Sequence, residues 1–77
     1  MPHIALKMLK GRTDAQKELA VKKLSEALNE ALGTPDMYIS VSVEDYTAEE
    51  WQEVFEKEIS NNPNLKKQPK YNPKDLL

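Results

Sequence analysis

Met1-Pro2-His3-Ile4-Ala5-Leu6-Lys7-Met8 opens the chain, and its reading decides the fold. Ile4, Leu6 and Met8 alternate with His3, Ala5 and Lys7. A period of two predicts a strand with one buried face. Proline stands directly before it. With Met1 attached, the Pro2 nitrogen is an amide without a basic lone pair. Removal of an initiator methionine turns it into a secondary amine fixed at the start of a strand.

Downstream, Lys10-Gly11 breaks the alternation. Thr13 reads as a helix N-cap, with Gln16 at the capping-box position and Asp14 at the positive end of the helix dipole. The spacing predicts a helix to Leu32, about 19 residues and roughly 28 Å long. Leu19, Ala20, Leu24, Ala27, Leu28, Ala31 and Leu32 fall on or near one face; Lys17, Lys22, Lys23, Glu26 and Glu30 fall largely outside it. Gly33 suits the stop, and Pro35 forbids continuation. From Tyr38 to Glu44 the alternation returns, with Ile39, Val41 and Val43 on one face. Strand, long helix and strand make a β-α-β unit, with parallel strands and a right-handed crossover. The fold class is α/β in the broad sense that includes α+β.

Thr47-Ala48-Glu49-Glu50 is a second capping box, opening a shorter helix with Trp51, Val54, Phe55 and Ile59 on one face. Asn61-Asn62-Pro63 ends it. Residues 61–77 read as an extended tail, ordered where it docks on something. The expected organisation is one domain over 1–77, with a core in 2–60. Two parallel strands under one helix leave two open edges and a bare sheet face, so the sheet is expected to be completed by homo-oligomerisation.

Composition narrows the function classes. The 77 residues include no cysteine and one histidine, which excludes a disulfide framework and a Cys- or His-rich metal site. Eleven Lys and Arg stand against thirteen Asp and Glu. This mildly acidic balance argues against nucleic-acid binding, leaving only the lysines of the tail on that side. No apolar run reaches the about 18 residues of a membrane span, and no signal peptide is evident. A cytoplasmic protein is expected.

Pro2 and Arg12 carry the chemistry. A secondary amine near a cation, in an apolar hollow, has its pKa lowered toward neutrality, as a general base requires. Arg12 is the only arginine, and its planar fork binds a carboxylate through two hydrogen bonds. Helical packing with Val54 and Phe55 explains Trp51 by itself; the alternative is a pocket wall that excludes water. His3 beside Pro2 reads as a structural or surface residue, with a second proton carrier as the alternative. The acidic residues Glu44, Asp45, Glu49, Glu50 and Glu53 read as caps and solubilising charge, so no metal is assigned.

Together these residues resemble the tautomerase superfamily, in particular the 4-oxalocrotonate tautomerase group. The resemblance lies in Pro2 after the initiator, in Gly11-Arg12-Thr13-Asp14-Ala15-Gln16-Lys17 opening the helix, in Ser25-Glu26-Ala27 within it, and in the Pro35 turn before a valine-rich strand. It covers residues 2 to 60. It implies the β-α-β fold, no cofactor, and a proton moved by Pro2 in an enol or dienol acid, with Arg12 on the substrate carboxylate. The implied substrate is a small unsaturated 2-oxo or 2-hydroxy carboxylic acid. Where short members carry a second arginine in strand two, this chain has Ser40, which donates a hydrogen bond but brings no charge. Ser40 and Trp51 are the remaining expected substrate-binding residues. The Trp51 helix and the Pro-Lys-Tyr tail are similar to the longer subgroup that forms dimers, so a homodimer is ranked above a hexamer. A non-catalytic oligomeric binding module on the same scaffold is the alternative.

Overall fold

The Thr13 hydroxyl accepts the Gln16 backbone N–H at 3.1 Å, and the Gln16 side chain accepts the Thr13 N–H at 2.8 Å. This reciprocal cap satisfies two donors that a helix start leaves free, and it fixes where the long helix α1 (Asp14–Leu32) begins. Gly33 ends it in the left-handed conformation, φ +69°, and its N–H donates to Asn29 O at 2.9 Å. The computed structural model describes residues 1–77.

Strands β1 (His3–Leu9) and β2 (Ser40–Tyr46) pair in parallel, from His3 opposite Ser40 to Leu9 opposite Tyr46. The β-α-β unit is therefore as expected. The start of β2 is not. Asp36–Tyr38 forms a short 3-10 turn, with Tyr38 N–H on Pro35 O and Ile39 N–H on Asp36 O, each at 3.0 Å. The strand begins two residues later than the alternation suggests, and it runs on through Asp45 and Tyr46.

Helix α1 lies on the face that carries Val41, Val43 and Asp45. Lys17 reaches down to the Asp45 carboxylate at 2.5 Å, each side chain about one quarter exposed. The half-buried stripe of α1 is Lys17, Ala20, Val21, Leu24, Ser25 and Leu28. This corrects the expected face: Leu19 is 55% exposed and Leu32 63%, and Ala27 and Ala31 are exposed as well. A two-stranded sheet is narrower than the apolar content of the helix. None of the 77 residues is fully buried, so the apolar layer between helix and sheet is half open throughout.

The second capping box is present as read. Thr47 accepts the Glu50 N–H at 3.1 Å, and Glu50 accepts the Thr47 N–H at 2.8 Å. It opens α2 (Ala48–Val54), which continues as a wider π-helical stretch over Phe55–Ser60. Trp51, Val54, Phe55 and Ile59 are all half-buried. The tail docks on this helix. Tyr71 sets its ring edge-on to Phe55 at 5.5 Å, Gln52 Nε2 donates to Pro73 O at 2.8 Å, and Pro73–Leu76 forms a closing 3-10 turn. No helix is long and apolar enough to cross a membrane.

Candidate active site

Parallel pairing sorts the four expected site residues into two groups. Pro2 and Ser40 sit together at the start of the strands, where the Ser40 N–H donates to Pro2 O at 3.2 Å. Pro2 is half-buried, while Met1 beyond it is 93% exposed. The Ser40 hydroxyl shares a 2.7 Å hydrogen bond with His3 Nδ1, across the register pair that places the two side by side. His3 thus ties the start of β1 to the Ser40 side chain of the neighbouring strand.

Arg12 and Trp51 stand at the other end. They line one cavity of about 290 Å³, with Lys7, Met8 and Leu9 of β1 contributing further lining. Arg12 Nη1 donates to Leu9 O at 3.3 Å, which holds the guanidinium at the end of β1. It takes part in none of the four ion pairs of the chain. The seven residues of β1 separate the two groups by roughly 23 Å at 3.3 Å per residue. Within one chain, Pro2 and Arg12 do not face one another.

A cluster missed in the sequence lies between the two ends. Lys7 Nζ donates to Tyr46 Oη at 3.1 Å, the Tyr46 hydroxyl donates to Glu44 Oε2 at 2.6 Å, and Lys7 and Glu44 lie 3.7 Å apart. The Tyr46 hydrogen bond, followed by the nearby Glu44 charge, raises the Lys7 pKa above its ordinary value. The same hydroxyl, followed by the Lys7 charge, lowers that of Glu44. Register is the signal that would have found it, because Lys7 pairs with Glu44 and Tyr46 lies two residues along the same face. A second hollow of about 320 Å³, beyond Lys7, is walled by Glu50, Glu53, Lys57 and Glu58, and none of the four expected site residues lines it.

A family model described as "Tautomerase enzyme" matches residues 2–54. The chain belongs to the tautomerase family of enzymes. The match takes in Pro2, Arg12, Ser40 and Trp51 and stops short of the docked tail. Among relatives, the 2-hydroxymuconate tautomerase of Pseudomonas putida is 39% identical over 51 residues, 66% of this chain and 81% of that one. A Xylella fastidiosa (strain 9a5c) protein named "Probable tautomerase" is 33% identical over 73 residues, 92% of this chain and 89% of that one. Among solved structures, YwhB, a homologue of 4-oxalocrotonate tautomerase, superposes with a TM-score of 0.62 at 39% identity, covering 64% of this tautomerase-family chain and 80% of its own. TomN, a 4-oxalocrotonate tautomerase homologue in the tomaymycin biosynthetic pathway, gives 0.63 at 34% identity, covering 65% and 77%. The fold is that of the 4-oxalocrotonate tautomerase-like proteins.

Proposed function

We propose that this chain is a homodimeric tautomerase of small unsaturated 2-hydroxy or 2-oxo carboxylic acids, with Pro2 as its general base. The observation that carries the reading is the split of the site. Pro2 and Ser40 occupy one end of a parallel sheet, and Arg12 and Trp51 occupy the other. Pairing two copies antiparallel about a two-fold axis brings the start of β1 in one copy to the end of β1 in the other. Each of the two sites then holds one copy's base and the other's guanidinium.

Met1, almost fully exposed, is open to removal. The freed Pro2 amine takes the proton from the 2-hydroxyl of an enol acid. The oxygen lone pair becomes the carbonyl π bond, and the displaced carbon–carbon π pair takes a proton from the protonated amine. The oxidation state does not change, so acid–base groups suffice. Arg12 holds the carboxylate, and its positive charge disfavours a protonated amine nearby. Ser40 donates a hydrogen bond at the Pro2 end, and Trp51 excludes water at the Arg12 end. The 2-hydroxymuconate tautomerases among the relatives support this substrate class.

The test is ketonisation of phenylenolpyruvate and of 2-hydroxymuconate by protein whose mass lacks Met1. Pro2→Ala is expected to lose the activity. Equal rates in the two proteins reject Pro2 as the base.

A further inference from the structure

The tail beyond the family match builds part of the Arg12 cavity. Tyr71 and Leu76 line it together with Met8 and Trp51. Three contacts hold them there. Trp51 Nε1–H donates to Tyr71 Oη at 2.9 Å, the Tyr71 ring meets Phe55 edge-on, and Gln52 Nε2 binds Pro73 O. The Asn72 side chain accepts the Lys74 N–H at 3.0 Å, which starts the turn that carries Leu76 to the cavity.

The charges of the cavity are unequal in their freedom. The Lys7 ammonium is engaged by Tyr46 and offset by Glu44. Arg12 spends one donor on a backbone carbonyl and meets no carboxylate, so one uncompensated positive charge remains. A first carboxylate is matched by Arg12. Beyond Arg12 the lining is mostly apolar, from Leu76, Met8, Leu9 and the rings of Tyr71 and Trp51, so an aryl or alkyl substituent gains contact there, while a second carboxylate finds only the Tyr71 hydroxyl and a Lys7 ammonium already engaged by Tyr46 and offset by Glu44. At about 290 Å³ the cavity is at the small end of ligand sites and suits a molecule of one ring.

We propose that the C-terminal segment is a specificity wall: Tyr71 and Leu76 give the Arg12 cavity an apolar end that selects enol acids with one carboxylate and an aryl or branched-alkyl substituent over dicarboxylates. The proposal rests on the tautomerase reading for its substrate, but the selection it describes is measurable without turnover. Trp51 is the only tryptophan and touches the wall, so its fluorescence reports occupancy.

The full chain is titrated with phenylacetate and with glutarate. Wild type is expected to bind phenylacetate about tenfold more tightly, the scale of one apolar contact in a pocket. Leu76→Ala is expected to weaken phenylacetate by about tenfold and leave glutarate unchanged. Tyr71→Phe keeps the ring but drops the Trp51 hydrogen bond, and should weaken phenylacetate selectively without depending on the fate of Leu76. Arg12→Ala should abolish binding of both acids. Equal affinity for the two acids in wild type, equal weakening of both by Leu76→Ala, or phenylacetate binding that survives Arg12→Ala overturns the wall. Wall-dependent binding without Pro2-dependent ketonisation keeps the wall and removes the catalytic reading. Ketonisation with discrimination indifferent to Leu76 and Tyr71 does the reverse.

Discussion

If each site joins Pro2 of one copy to Arg12 of the other, two inactive variants should repair one another. Pro2→Ala lacks the ring-held secondary amine in both sites of its dimer, and Arg12→Ala lacks the carboxylate fork in both. Mixed dimers contain one site with both defects and one with neither. Equal amounts, exchanged freely by mild denaturation and refolding, give about half mixed dimers, each with one intact site of two. The mixture should therefore reach about a quarter of wild-type activity per chain. The separation enforces this arithmetic. Roughly 23 Å of strand lies between the two residues of one chain, and the Arg12 guanidinium is tied to Leu9 O, so an arginine side chain cannot cover the distance.

The assay is phenylenolpyruvate ketonisation of the Met1-free mixture, compared with the sum of the separate variants. Activity no higher than that sum, with subunit exchange verified by mass, refutes the shared site. The quarter holds for any closed assembly in which each site joins two neighbouring copies, so the dimer count itself is checked by sedimentation or native mass rather than by this plateau.

Further outcomes follow from the caps and the ion pairs. Thr47→Ala removes the acceptor for the Glu50 N–H and should cost about 1 kcal/mol, seen as a lower urea midpoint at fixed protein concentration, with Thr47→Ser close to wild type. The pKa of Glu44 is lowered on folding, so its contribution is fully present above its ordinary 4.5 and is lost as pH falls through the folded value; Glu44→Gln should flatten that acid limb of a midpoint-against-pH curve. Lys7, raised on folding, contributes fully below 10.5 and loses its contribution as pH rises through its folded value, so Lys7→Met should flatten the alkaline limb instead. Asp45→Asn breaks the partly buried pair with Lys17 and should destabilise by on the order of 1–2 kcal/mol in thermal melts, more than disruption of the exposed Lys57–Glu53 pair.

What the sequence reveals of this molecule follows the range of the forces involved. Both capping boxes and the Gly33 stop are local, set by hydrogen bonds within three or four residues, and they stand where Thr13, Thr47 and Gly33 place them. The start of β2 is off by two because alternation marks side-chain faces, whereas pairing begins only after the Pro35 turn has used the amides of Tyr38 and Ile39. The face of α1 is misjudged at Leu19 and Leu32 because helix periodicity says which residues are apolar together, and only the width of the sheet decides how many it covers. Tyr71 meets Trp51 across 20 residues, and no local pattern announces that contact.

The placement of the candidate residues, unlike these packing details, follows from topology alone. A β-α-β unit with parallel strands already puts the residue before β1 and the residue after it at opposite ends. The same small sheet that separates Pro2 from Arg12 also leaves every side chain at least partly open to water. On the dimer proposed above, one interface answers both deficits, covering apolar surface and completing the pocket. Dissociation into single copies should then remove activity and stability together, and a folded monomer with full activity would contradict both at once.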